Sequence, residues 1–137
     1  MKVIGHGIDL VECARLGELV RRHGRRFLER VFTPAELAYA RGRARETEHL
    51  AGRFAAKEAV LKVLGTGWRN GIAWTDIEVL NTPAGQPRVR LAGKCRQVAD
   101  AMGLAAIHLS ISHTATHAMA SAIGSAGAGG GALGVGD

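Results

Sequence analysis

The spacing of apolar and polar positions changes period several times along the chain, and each change marks an element. From Val3 to Leu10 the alternation is two-fold, which predicts a strand with Ile4, His6, Ile8 and Leu10 on one face. Val3, Gly5, Gly7 and Asp9 take the other face, and the two glycines leave it open to close approach. From Val11 to His23 the period becomes helical, with Leu16, Leu19 and Val20 apolar and arginines opposite, until Gly24 ends or breaks the helix. Phe27, Leu28, Val31 and Phe32 add a further helical turn. Thr33-Pro34-Ala35-Glu36 is a helix start, with threonine at the N-cap, proline in the first turn and glutamate placed for a capping box. That helix runs to about Arg41, and a long one is predicted from Glu46 to Leu64, closed by Gly65.

Beyond the loop Gly65–Gly71, Asp76 to Leu80 and Arg88 to Leu91 read as strands joined by a turn around Pro83, Gly85 and Pro87. Ala92 to Met102 is a helix ended by Gly103. Ile107 to His113 and Thr116 to Ile123 are strands of a hairpin turning at Thr114-Ala115. Ala118, Ala120 and Ala122 give the last strand a small-residue face on which a helix could pack closely. Ser125 to Asp137 is rich in glycine and alanine with one charge, so residues 125–137 are expected to form a disordered tail after a single domain over 1–124. The expected class is α+β: an antiparallel sheet packed against a long helix, with no internal repeat.

A chain of 137 residues builds such a core without disulfides. Cys13 and Cys95 lack metal-ligand spacing and read as free thiols of a reducing cytosol. No stretch has the features of a signal peptide or the length of a membrane span, so a soluble cytoplasmic protein is expected. The net charge of +6 is one-sided: residues 1–70 carry 14 lysines and arginines against 8 acidic residues, and residues 71–137 carry 4 against 4. A basic face of this kind attracts nucleic acid, a phosphorylated cofactor or an acidic protein, or is simply a solvated helix surface.

The chemistry centres on Phe54-Ala55-Ala56-Lys57-Glu58-Ala59 with Lys62. Glu58 shares a helix face with Phe54, Leu61 and Lys62, and a carboxylate in an apolar stripe needs a partner. Lys62 is one candidate and a metal the other. Asp9, on the glycine-lined strand face, supplies a second carboxylate. Two carboxylates from different elements suit magnesium, which fills its remaining positions with water and phosphate oxygens; alternatively Asp9 caps the following helix and Glu58 pairs with Lys62. Gly65 and Gly67 follow a helix C-terminus, so they do not form a P-loop. Ser110-Ile111-Ser112-His113 lacks a nucleophile elbow, and His113 is either a phosphate donor, a proton acceptor or a polar turn residue.

Together these motifs resemble one family. Gly7-Ile8-Asp9-Leu10-Val11-Glu12 is similar to the G-x-D-x-x-E motif of 4′-phosphopantetheinyl transferases, and residues 54–62 are similar to their F-x-x-K-E-A-x-x-K motif. The segment Gly65–Gly71, the Gly85-Gln86-Pro87 turn and Ser110–His113 also match, so the resemblance covers residues 3–124 and points to the short bacterial type with one unit per chain. It implies transfer of phosphopantetheine from coenzyme A to a serine of apo-acyl carrier protein, with release of adenosine 3′,5′-bisphosphate, in a homotrimer whose clefts lie between subunits. It further implies that Asp9 and Glu58 hold magnesium and that Lys62 neutralises the transferring phosphoryl group. Glu58, directly or through a metal-bound water, would accept the serine proton. Arg53, Lys57, Lys62, Gly65, Gly67 and His113 are expected at coenzyme A, and Arg15, Arg21, Arg22, Arg25 and Arg26 at the acidic carrier. The rival readings are a small basic nucleic-acid-binding module, which lacks an aromatic platform and a recognisable DNA-reading motif, and a non-catalytic member of the same fold.

Overall fold

A computed structural model of the chain describes residues 1–69 and 71–127. The elements are β1 (Lys2–Glu12), α1 (Cys13–Val31), α2 (Pro34–Ala40), α3 (Glu46–Leu64), β2 (Ile77–Asn81), β3 (Pro87–Leu91), α4 (Gly93–Met102), β4 (Ala106–His113) and β5 (His117–Ala126). The strands form an antiparallel three-stranded sheet in the order β1-β5-β4 and a separate antiparallel hairpin, β2-β3. The mixed α and β class with antiparallel sheets agrees with the sequence expectation. The capping box at Thr33 is present: Glu36 N–H donates to Thr33 Oγ1 at 3.3 Å and Thr33 N–H to Glu36 Oε1 at 2.8 Å. Gly24 does break α1, with φ 57° and ψ −138°, a conformation that a side chain resists.

The first strand and the long helix meet more closely than side chains allow. A Cβ at Gly7 would lie 2.0 Å from the Ala59 carbonyl oxygen and 2.8 Å from Lys62 Cβ. One at Gly5 would lie 2.9 Å from the Val63 carbonyl oxygen. The glycines therefore open the strand to α3 itself. Ala118, Ala120 and Ala122 of β5 complete the contact and are fully buried. Cys13 and Cys95 are buried free thiols, and burial pushes the Cys95 thiol up to about 12.

Packing on all sides makes α3 the centre of the core, so it has no apolar stripe of the kind expected. Ala51, Ala55, Ala56, Ala59, Val60, Leu61, Val63 and Leu64 are all buried around it. The half-buried or exposed positions in its later turns are Phe54, Glu58 and Lys62. Glu58 thus lies on the open stripe, a correction to the sequence reading. The deeply buried charge is Lys57, which is fully buried and forms an ion pair with the equally buried Glu36 at 2.8 Å. Its Nζ also donates to the carbonyls of Trp74, at 3.1 Å, and Ile77. Glu36 in turn accepts the Val79 N–H at 2.7 Å, so one pair ties α2, α3 and β2 together.

The last strand also runs further than expected. Ser125 is buried, accepts the Ala105 N–H at 2.7 Å through its carbonyl and meets His108 Nε2 at 3.2 Å through its hydroxyl. The domain boundary expected at 124 is therefore too early, because partners on and just before β4 satisfy a serine that reads as a tail residue. Residues 128–137 of the expected tail lie outside the described residues.

Gly7→Ala should cost about 3 kcal/mol or more in urea denaturation, because backbone stands where the methyl would go. Lys57→Met should cost about 3–5 kcal/mol by leaving Glu36 charged and alone, and Glu36→Gln in the same chain should restore most of it.

Candidate active site

β1 and α3 carry the site, and their close approach sets its geometry. Asp9 lies two residues after Gly7 and pairs in register with Ala120. Lys62 of α3 reaches across to it: Nζ donates to the Ile8 carbonyl at 2.7 Å and lies 3.5 Å from Asp9 Oδ1. Lys62 is therefore the partner of Asp9 and the β1 backbone. The hydrogen bond that Glu58 makes comes from another residue, since Trp68 Nε1–H donates to Glu58 Oε1 at 3.3 Å.

Asp9 and Glu58 line one cavity of about 480 Å³ with Glu12, Arg15, Leu16, Leu19, Phe54 and His117 among its walls. Partial burial, opposed by the Trp68 hydrogen bond, pushes the Glu58 carboxyl up; the Asp9 charge adds to the rise and Lys62 opposes it. The two carboxylates thus feel one another across the cavity. Among the described residues no group of three or more His, Cys, Asp or Glu side chains is placed to hold a metal alone. A two-carboxylate donor set fits a hard cation that draws its other ligands from water and a diphosphate.

Not every expected residue reaches this cavity. Lys57 and Arg53, both expected at coenzyme A, lie on buried faces of α3 away from this cavity. Lys57 is consumed by Glu36 and two carbonyls, as described. Arg53 is 4% exposed, donates to the Asn81 side chain and lies 4.2 Å above the Tyr39 ring, while its Nε finds no partner among the described residues. His113 stands at another corner, with Nδ1 3.0 Å from Glu48 Oε1 and its ring 6.0 Å from that of His49. Burial, together with Arg53, Arg43 and His113, pulls the His49 imidazole down. Gly65 closes α3 with φ 75° and Gly67 follows at φ 65°, turning the loop so that Trp68 comes back over the helix. Arg15 borders the cavity; Arg21, Arg22, Arg25 and Arg26 are exposed along α1, with Arg21 paired to Glu18 and Arg25 lying 3.8 Å from Glu29.

A family model described as the 4′-phosphopantetheinyl transferase superfamily matches residues 5–120. The chain belongs to that superfamily. Within it, the chain is 47% identical over 121 residues to a holo-[acyl-carrier-protein] synthase of Koribacter versatilis, covering 88% of this chain and 97% of the relative. A relative of the same name from Solibacter usitatus is 44% identical over 121 residues, 88% of this chain and 97% of its own. Among solved structures, the holo-[acyl-carrier-protein] synthase of Neisseria meningitidis superposes with a TM-score of 0.82 at 28% identity, covering 90% of this chain and 98% of that one. The Bacillus anthracis synthase in complex with CoA (3′,5′-ADP) gives 0.76 at 34% identity, with 93% and 100% covered. These relatives make this superfamily member an enzyme of the phosphopantetheinyl transferase class, and the match favours that reading over a nucleic-acid module.

Sequence reasoning misses three residues around this candidate site: Trp68, which bonds Glu58, His117, which lines the cavity, and Glu36, which holds Lys57 beneath it. Trp68 follows the glycine loop that was singled out, and His117 lies one strand turn beyond the histidine that was chosen. Glu36 was legible only as a cap.

The raised Glu58 carboxyl has a stability consequence with a definite sign. Its folded-state pKa lies above the unfolded value, so the fold disfavours the ionised form and loses stability as pH rises through the carboxylate range. Glu58→Gln should therefore raise the melting temperature at pH 7–8, and the gain should vanish below about pH 4, as calorimetry across pH can show.

Proposed function

We propose that this enzyme transfers the 4′-phosphopantetheine group of coenzyme A to a serine of an apo-acyl carrier protein, releasing adenosine 3′,5′-bisphosphate. The observation that carries the proposal is the convergence of Asp9, Glu58 and Lys62 where β1 meets α3, beside one cavity, in a chain whose solved relatives include coenzyme A complexes. The serine oxygen forms a bond to the β-phosphorus as the bond to the adenosine bisphosphate oxygen breaks, and the hydroxyl proton passes to Glu58 or a water it holds. The raised Glu58 carboxyl suits a proton acceptor working near neutral pH. Lys62, fixed by the Ile8 carbonyl, presents a positive charge beside Asp9 where charge builds on phosphorus. Asp9 and Glu58 would hold magnesium, which when bound neutralises the diphosphate.

The arginines of α1 are proposed as the docking surface for the acidic carrier, with Arg15 nearest the cavity. A homotrimer is proposed as the working form. It is supported by the outer face of the β1-β5-β4 sheet, where beyond the Glu12 and His117 pair at the cavity end, His6, Ile8, Leu10, Met119, Ser121, Ile123, His108, Ser110 and Ser112 include no lysine, arginine, aspartate or glutamate. Ile8 and Leu10 are 48% and 62% exposed there, in a chain of net charge +6. With clefts between subunits, His113, held by Glu48 beside His49, is what one chain offers to coenzyme A bound beside the next. The described residues contain no helix long and apolar enough to cross a membrane. The proposed setting is the cytoplasm, in fatty-acid or polyketide synthesis.

Mass spectrometry of an apo-acyl carrier protein incubated with enzyme, coenzyme A and magnesium should show the gain of one phosphopantetheine, lost with Glu58→Ala; an inactive wild type refutes the proposal. Charge reversal at Arg15 and Arg22 should raise KM for the carrier about tenfold and spare KM for coenzyme A. Ile8→Lys with Ile123→Lys should yield monomers in light scattering, whereas an unchanged molar mass would argue against a covered sheet face.

A further inference from the structure

The catalytic triplet leaves one contact at the site unexplained, the indole of Trp68. Glu58 is half-buried and, among the described residues, has no cation within hydrogen-bond distance, Lys62 being engaged by Ile8 and Asp9. The bond from Trp68 Nε1 at 3.3 Å is the one hydrogen bond its carboxylate receives among the described residues, and it falls on Oε1. An indole N–H can only donate, so this contact cannot reverse its polarity.

The indole is itself held on several sides. Trp68 stacks on Trp74 with centroids 3.9 Å apart and planes at 29°. Trp74 meets Phe54 edge to face at 4.8 Å. Phe54 stands one helical turn before Glu58 and lines the same cavity. The contacts thus close a ring from Glu58 through Trp68, Trp74 and Phe54 back to α3. The carbonyl of Trp74 accepts Lys57 Nζ at 3.1 Å, so the buried pair with Glu36 fixes the ring from below. A simple hydrophobic cover would need neither the N–H aimed at Oε1 nor the two left-handed glycines that return the loop to the helix.

We propose that Trp68 is a positioning residue, whose N–H holds Oε1 of Glu58 so that the carboxylate keeps one orientation toward the cavity and the divalent cation of the proposed transfer. The inference rests on the transferase reading of Asp9 and Glu58. Groups that orient a metal ligand in this way are worth about 10–100-fold in metal affinity or activity.

Trp68→Phe keeps the ring and its stack and removes the N–H. Electron paramagnetic resonance of Mn2+ with coenzyme A, in the absence of carrier, should show affinity about tenfold weaker than wild type. The value of kcat should fall in parallel, with KM for the carrier unchanged. Wild-type Mn2+ affinity in folded Trp68→Phe overturns the proposal, as does a loss confined to melting temperature and KM. Trp74→Phe provides a second, independent reading, since it leaves Trp68 as the sole tryptophan of the chain's two. Its emission should change when Mn2+ and coenzyme A are added together, and a constant emission with bound Mn2+ counts against the contact. A wild type that takes up no Mn2+ overturns the proposal together with the metal reading. A wild type that binds Mn2+ and coenzyme A but labels no carrier refutes the transfer alone, and the Mn2+ comparison still decides the role of Trp68.

Discussion

Where Gly7 meets the carbonyl of Ala59, a strand and a helix lie closer than any side chain permits, and the candidate site is a product of that approach. Two residues on, Asp9 emerges at the level of Lys62, whose ammonium bonds the strand backbone and faces the carboxylate. Glu58, one turn earlier on α3, shares their cavity. Were the strand held off by ordinary side chains, Lys62 could not reach Ile8. The Ala118, Ala120 and Ala122 row does the same for β5, so the whole sheet sits down on α3 through small residues.

The central helix carries charge on two faces, and the environments assign them different work. On the buried side, Lys57 and Glu36 neutralise one another and use their remaining capacity on backbone groups of Trp74, Ile77, Thr33 and Val79. Burial drags the Lys57 ammonium down, and the Glu36 charge and hydrogen bond oppose that shift. A pair satisfied so completely is a structural fastener. On the open side, half-buried Glu58 has one indole donor and a like charge nearby, and it stays open to the cavity. The separation keeps the cavity carboxylate out of the ion pair that occupies Lys57.

Local signals in the chain were readable where local physics decides. The ends of α3, the break at Gly24 and the Thr33 capping box depend on a few neighbouring residues and appear where periodicity and caps put them. The face assignment of α3 failed because a helix buried on nearly every side has no amphipathic period to read, so its charged residues could not be sorted into core and surface. Trp68 touches Glu58 from ten positions away and Lys57 meets Glu36 across 21, and such contacts leave no periodic trace. The glycines of β1 were rightly read as sites of close approach, but the partner proved to be the chain's own helix. The pairing of Asp9 with Lys62 spans 53 residues and has no sequence signal: by spacing Lys62 reads as a partner of Glu58, one turn away on its own helix.

The glycine and alanine lining of the inner sheet face also governs how this molecule can change through evolution. At Gly5, Gly7 and Gly124 the next heavier residue already collides with neighbouring atoms, so those positions have almost no sequence neighbours to explore. The opposite face of the same strands meets no such barrier within the chain and is constrained only by what binds there. Drift will therefore accumulate on one side of each strand and stall on the other. A change on the outer face could alter what the sheet binds while leaving the spacing between Asp9 and Lys62 untouched.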